Sequence, residues 1–216
     1  MFFSLRKRRY RLDELNNQNS DLKSDRRKLS IAIIDDNDVP YLSKLTNSGY
    51  NVRHYKDVTD FEMVISYPII ICDIKGVGKS FGSNYEGGYV IEQIRQLYPD
   101  KYIIAMSAEI YKITFMNILE NADDKIMRDS GIDVVSSALN KAFEIMQSNK
   151  ERWCRLRNNL ISKHKVDLYD VWEIEQEFIK SSLNSDRRIF ENSRVVRNSK
   201  EIVRGILINF ISGLIL

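Results

Sequence analysis

The chain has 216 residues, is 43% hydrophobic and 29% charged, and carries a formal net charge of +3. That length holds one core of ordinary size with an appendage, or two small domains. Two cysteines exclude a disulfide framework and suit a reducing compartment, and the longest apolar run, the 12-residue GILINFISGLIL, falls short of the roughly 20 residues of a bilayer span.

The charge is unevenly spread. Residues 1–29 carry a net +5, residues 30–149 carry −6, and residues 150–216 carry +4. An acidic middle between basic flanks implies three segments: a basic tail and linker over 1–29, a central unit over 30–148, and a helical region over 150–216. The start, MFFSLRKRRYRL, puts its charges after a very short apolar tip, the reverse of a secretory leader. LRKRRYR reads first as a solvated tail, with anionic lipid or nucleic acid as the alternative. Residues 12–29 are polar and aperiodic, a linker with at most one helical turn.

From Ser30 the pattern alternates. Ile31–Ile34 is an apolar strand with an acidic lip, Asp35-Asp36. Val39–Ser48 reads as a helix stopped by Gly49. Tyr50–Tyr55 is a second strand, and Val58–Ser66 a second helix closed by Pro68. Ile69–Cys72 is a fully apolar strand ending at Asp73, with Cys72 a small buried hydrophobe. A glycine-rich loop runs from Lys75 to Gly87. Tyr89–Tyr98 is the third helix, Tyr102–Met106 the fourth strand, Ile113–Asn121 the fourth helix, Lys125–Arg128 a weak fifth strand and Ile132–Gln147 the fifth helix. Five strand–helix alternations, with central strands that are apolar on both sides, predict a parallel sheet covered on both faces. Beyond residue 150 only helices are expected, over Arg152–Ile161, Val171–Ser181, Asp186–Arg194 and Lys200–Leu216.

Asp35, Asp36, Asp73 and Ser107 all fall just past strand C-termini, where open α/β sheets bind ligands. Three carboxylates on adjoining loops repel one another, and a divalent cation relieves this. Oxygen-only ligands suit Mg2+. A carboxylate beside Mg2+ is a competent nucleophile toward a phosphoryl group, which a hydroxyl and a cation on neighbouring strand ends would then grip. Capping of the first helix accounts for one of these aspartates, not three. Gly78-Lys79-Ser80 invites a phosphate-loop reading, but that pattern needs a glycine where Asp73 stands, and a turn-like FGSNYEGG follows. The loop reads instead as a flap over the acids, or as the source of a cation through Lys75 or Lys79.

The blocks IAIIDD (31–36), IIICD (69–73), IIAMSA (103–108) and NADDKIMR (121–128) together resemble the receiver domain of two-component response regulators over residues 28–148. The resemblance implies a five-stranded parallel doubly wound (flavodoxin-like, receiver) sheet with an α-helical C-terminal extension. It implies Asp73 as phosphoacceptor. Asp35, Asp36 and Asp73 would hold Mg2+ with the main-chain carbonyl of Lys75, and Ser107 and Arg128 would hold the phosphoryl group. Three departures stand out. The family has Lys, usually followed by Pro, where this chain has Arg128-Asp129. Its aromatic switch position matches Lys125, and the loop after Asp73 is longer than usual.

The implied function is a response regulator that accepts a phosphoryl group from a histidine kinase or phosphotransfer protein and alters assembly or partner contacts of residues 150–216. At most it would catalyse its own phosphorylation and dephosphorylation. The alternative is a degenerate receiver serving as an interaction module. Ile202, Val203, Ile206, Leu207, Phe210, Ile211, Leu214 and Ile215 make the last helix apolar nearly all round. The flanking helices look too polar to enclose it. Homo-oligomer packing is therefore the first expectation, burial within the chain the second and a membrane surface the third. Trp153, Trp172 and Phe178 are expected in the same helical core. No nucleic-acid partner is favoured, and the expected location is cytoplasmic, with peripheral attachment at the inner membrane as the variant. His54 and His164 are assigned no role.

Overall fold

The computed structural model describes residues 8–18, 26–108 and 120–214. Five strands, β1 (Ser30–Ile34), β2 (Asn51–Tyr55), β3 (Ile69–Asp73), β4 (Tyr102–Ser107) and β5 (Asp124–Met127), form one sheet in the order β2-β1-β3-β4-β5. Every pairing is parallel. This is the doubly wound, flavodoxin-like order, whose direction of winding reverses between β1 and β3. The helices are α1 (Leu42–Asn47), α2 (Gly87–Leu97), α3 (Ile132–Met146), α4 (Asn149–Ser162), α5 (Leu168–Leu183), α6 (Arg187–Glu191), α7 (Arg194–Asn198) and α8 (Glu201–Ser212).

The apolar central strands do what their composition requires. Ile31, Ile33, Ile69, Ile71 and Ile104 point to one face, under Leu45 of α1 and Leu139 and Phe143 of α3. Their neighbours Ala32, Ile34, Ile70, Cys72 and Ile103 point to the other, under Val90, Ile91 and Ile94 of α2. Alternate side chains of one strand thus serve two cores. The helix expected over Ile113–Asn121 lies outside the described residues, except for its last two positions.

The second helix does not form as expected. Val58–Ser66 contains only a 3-10 turn, Phe61–Val64. Asp57 Oδ1 accepts from its neighbour Val58 N at 2.7 Å and also from Gly78 N. Asp60 caps the turn by accepting from Glu62 N at 2.8 Å. Those turns delay the helix start, and Pro68 stops the chain soon after.

The C-terminal part, with the N-terminal segment that packs on it, corrects four further expectations. The apolar face of α8 is buried within the chain: Val203, Ile206, Leu207, Phe210, Ile211 and Leu214 all lie in a second core with Trp153, Leu156, Leu160, Ile174, Phe178, Phe190 and Val196. The helices enclosing it are polar on average yet place their apolar residues on one side, so the reason given for oligomer packing disappears. Trp153 stacks on Phe178 with ring centres 5.1 Å apart, and its indole N–H donates to Glu175 at 2.7 Å. Trp172 does not join them; it is 40% exposed, beside Tyr169. The supposed linker contributes a 3-10 helix, Leu12–Gln18, whose Leu15 is fully buried in this core. Asp186–Arg194 is broken into α6 and α7, the second capped by Ser193. No helix among the described residues is long and apolar enough to cross a membrane.

An arginine-rich junction joins the two cores at the N-terminal edge of the sheet. Arg152 of α4 pairs with Asp100 through Nε at 3.0 Å and through Nη2, and donates to the Gly213 carbonyl at 2.9 Å. Arg155 donates to the carbonyls of Asp100 and Lys101 and to Asp123. Lys101, also buried, donates from Nζ to the carbonyls of Ile65 at 2.6 Å and Tyr67 at 2.8 Å, over the Tyr98 ring. Burial pushes its ammonium down from 10.5 to about 7; Asp100 resists and Arg152 assists.

The folded chain thus holds this proton less tightly than the unfolded chain. Stability should rise with pH through the window from about 7 to 10.5, by at most about 1.4 kcal/mol per pH unit. Urea unfolding of wild type and Lys101→Met at several pH values checks it. The difference between the two curves should slope over this window; a constant difference would contradict the assignment.

Candidate functional site

Strand register builds the site. Ile34 pairs with Cys72, Asp73 with Met106, and Ser107 with Met127. The residues at or just past these pairs, Asp35, Asp73, Ser107 and Arg128, therefore line the C-terminal edge of four adjoining strands. It is the edge opposite the arginine-rich junction, at the point where the strand order reverses.

Asp35, Asp36 and Asp73 offer oxygens that lie within 4.8 Å of one another. Asp35 and Asp73 are 3% and 2% exposed, and Asp36 is half-buried. Arg128 reaches all three. Its Nη2 pairs with Asp35 Oδ1 and lies 3.8 Å from Asp36 Oδ1, while Nη1 lies 2.9 Å from Asp73 Oδ2. The last contact is an ion pair by distance, but its N–H is poorly aimed. Asp73 Oδ2 is consequently buried without a hydrogen-bond donor. Burial raises the Asp73 carboxyl from 3.8 to about 6, against the lowering effect of Arg128 and with a further push from Asp35.

The sequence reading expected Asp35, Asp36, Asp73 and Arg128 at one site, and the structure brings these four together. Ser107 is buried at the end of β4, and its carbonyl accepts the Arg128 N–H at 3.1 Å. Lys75 follows two residues after Asp73, with its backbone N–H 3.5 Å from Asp73 Oδ1 and its side chain exposed. Lys125 is exposed on β5 and makes no part of the acidic contacts.

Other residues shape the site without a sequence signal strong enough to find them. Asn37 donates its backbone N–H to Asp35 at 2.9 Å and its side-chain amide to Asp36 at 2.6 Å. His54, previously without a role, donates from Nε2 to the Asp35 carbonyl at 2.8 Å. Tyr41 is buried nearby, its hydroxyl 3.3 Å from Met106 Sδ; burial and the neighbouring Asp35 raise it to about 12. Only Asn37 had a sequence cue, its place directly after the paired aspartates.

The glycine-rich loop is not a loose flap. Gly78 N donates to Asp57, and Gly76 N donates to Glu86 Oε2 at 2.6 Å. Glu86 adopts φ 47°, rare for a residue with a side chain. Gly76 has φ 84°, and a Cβ there would sit 2.2 Å from Asp36 Oδ2. After Gly78-Lys79-Ser80 the chain makes only a 3-10 turn, Lys79–Phe81, so no helix N-terminus faces a phosphate there. Phe81 instead stacks on Phe61 at 4.7 Å.

Three carboxylate groups with an orphaned, buried oxygen make a donor set suited to a hard divalent cation such as Mg2+. The same set is already touched by the protein's own cation, Arg128.

No family model matches the chain, and no curated protein matches it. Solved structures do resemble it. A CheY-like response regulator receiver domain from Methanospirillum hungatei JF-1 is 20% identical, with 55% of this chain and 96% of that one covered and a TM-score of 0.46. A response regulator from Thermotoga maritima is 21% identical, covering 54% and 98%, with a TM-score of 0.44. The signal receiver domain of an HD domain-containing protein from Pseudomonas fluorescens Pf-5 is 18% identical, covering 57% and 93%, with a TM-score of 0.48.

The close approach behind Asp73 gives a direct test. A Cβ on Gly87 would lie 1.8 Å from the Asp73 carbonyl oxygen, a backbone atom that cannot swing aside. Gly87→Ala should cost about 1–3 kcal/mol or more in urea unfolding. Gly205→Ala, at an exposed position inside α8 where a Cβ meets nothing within 4 Å, should be neutral or slightly stabilising. Equal behaviour of the two variants would mean that the loop does not pack on β3 as described.

Proposed function

We propose that residues 30–148 act as a phosphoryl-accepting receiver unit of the response-regulator type, with Asp73 as acceptor and residues 150–216 as the part that transmits or receives the change. The supporting observation is the convergence of Asp35, Asp36, Asp73 and Arg128 at the reversal point of a parallel sheet. Composition alone would not place four such groups at one edge.

The donor is a phosphohistidine on a histidine kinase or phosphotransfer protein. One Asp73 carboxylate oxygen attacks phosphorus, and a P–O bond forms as the P–N bond breaks. The imidazole leaves with the bonding pair and is protonated, and Asp73 becomes an acyl phosphate. Asp35, Asp36, Asp73 and the Lys75 carbonyl are the residues that would hold Mg2+. When bound, the ion would offset the charge of the three phosphoryl oxygens. Arg128 supplies a planar fork able to take two of those oxygens, and the Ser107 hydroxyl a further donor. Asn37 holds Asp35 and Asp36 in place, which limits the reorganisation that the incoming charge demands.

The helical region meets the sheet unit through α2, α3 and the turn before β4. A change at Asp73 would reach it through those elements and through Asp123, just before β5, which Arg155 holds at 2.7 Å.

A second reading keeps the fold as an interaction module without phosphoryl transfer. It draws on Arg128, which already neutralises part of the acidic charge at rest.

Intact-mass measurement separates the readings. Incubated with acetyl phosphate and MgCl2, the wild-type chain should gain one phosphoryl group, and Asp73→Asn should gain none. An unmodified wild type favours the second reading, and an equal gain by Asp73→Asn removes Asp73 as acceptor.

A further inference from the structure

We propose that Arg128 is a tethered counter-cation that competes with a divalent metal for the same carboxylate oxygens, so that the resting site is closed by the protein's own guanidinium. This rests on the reading of the acidic edge as a metal-assisted receiver site, but it concerns metal binding and not phosphoryl transfer.

The argument begins with charge. Asp35, Asp36 and Asp73 present up to three negative charges within a space where their oxygens lie no more than 4.8 Å apart. Two of them are almost fully buried. An uncompensated group of this kind is costly in a low-dielectric setting, so some cation has to be close. Arg128 meets that need without help from solution, with one Nη on Asp35 and Asp36 and the other on Asp73.

Shape makes the compensation specific. A lysine presents a single point charge at this strand end. The planar guanidinium instead carries two nitrogens that reach carboxylates on β1 and β3 at once. It spans the gap between the strands, the space that an ion shared by Asp35 and Asp73 would also need. The oxygens facing Arg128, Asp35 Oδ1, Asp36 Oδ1 and Asp73 Oδ2, lie on the same three carboxylates that form the donor set. A divalent ion bonding these oxygens would meet a positive fork at contact distance. One cation leaves when the other enters.

The exit is a side-chain motion. The Arg128 backbone is pinned by its N–H on the Ser107 carbonyl at 3.1 Å, and the Ser130 N–H closes a turn on Met127 O at 3.0 Å. The Arg128 side chain is 32% exposed, so the guanidinium can rotate outward into water without unpairing β5. Metal entry would therefore release Arg128 to face solvent, ready to bind an incoming phosphoryl oxygen. The other side of the cluster cannot yield as readily, because the Gly76 backbone packs on Asp36 and Asn37 donates to both Asp35 and Asp36.

Mn2+ is a suitable probe, since the free ion is counted by electron paramagnetic resonance. Full-length wild type, Arg128→Met and Arg128→Lys are titrated with MnCl2, and Asp73→Asn with Arg128→Met serves as the site control. Arg128→Met should bind one equivalent at least about ten-fold more tightly than wild type, Arg128→Lys should fall between, and the double variant should lose the gain. Circular dichroism confirms that each variant is folded. If Arg128→Met does not fold, Arg128→Lys still decides, because a lysine cannot fork between strands and must bind Mn2+ more tightly than wild type. Equal or weaker Mn2+ binding by the Arg128 variants would overturn the competition. Failure of phosphoryl transfer with competition intact would overturn the function above and leave this inference standing.

Discussion

Three carboxylates forced to one edge of a parallel sheet set the terms for everything around them. The strand pairs Ile34–Cys72 and Asp73–Met106 leave Asp35 and Asp73 side by side, and neither can retreat into water while both are buried. The local structure reads as a response to this repulsion. Asn37 donates to both Asp35 and Asp36, His54 donates to the Asp35 carbonyl, and Arg128 spreads one positive charge across all three acids. Even so, Asp73 Oδ2 keeps no well-aimed donor, and burial holds its carboxyl near 6. The site is thus incompletely satisfied at rest, the condition in which an added ligand has most to gain.

The sheet and its acidic edge were legible in the sequence for one physical reason. Strands buried on both faces must be apolar throughout, so Ile31–Ile34 and Ile69–Cys72 show no alternation, and a charged residue directly after such a run has to lie at its end. The 3-10 turn at Phe61–Val64 was not legible, because its limits come from Asp57 reaching across to Gly78, a contact between distant residues. Glu86 was equally hidden: nothing in FGSNYEGG announces a left-handed glutamate whose side chain holds Gly76. The burial of α8 was misjudged for a different reason. Average polarity of the flanking helices says little when Trp153, Leu156, Leu160, Ile174 and Phe178 lie on one side of them.

The junction at the other end of the sheet solves a related problem with opposite charges. Arg95, Arg152 and Arg155 converge on Asp100, Asp123 and a set of carbonyls that strand and helix ends leave unpaired. Arginine suits this role because one planar group can satisfy several acceptors in different directions. Arg95 alone donates to the carbonyls of Asn121, Pro99 and Lys101 and to the Asp123 carboxylate. Removing one partner from such a network leaves buried charge uncompensated, so the helical unit is held to the sheet by a contact that is expensive to break. Looseness between the two cores is not expected from this interface.

Helix α2 links the two charged ends. Its first residue, Gly87, packs on the Asp73 carbonyl and donates its N–H to the Ile74 carbonyl at 3.0 Å. Toward its last turn it carries Arg95 of the junction, and the Leu97 carbonyl meets Asn209 of α8. Eleven helical residues make a rod of about 16 Å between these points. A parallel sheet is stiff, and its β3–β4 ladder runs alongside the same rod. A shift of the chain at Asp73 therefore cannot be absorbed in a flexible loop near the site, because Gly87 leaves no gap there and Gly76 and Gly78 are held by Glu86 and Asp57. The tight packing behind the acids makes α2 the mechanical continuation of the site toward the helical core.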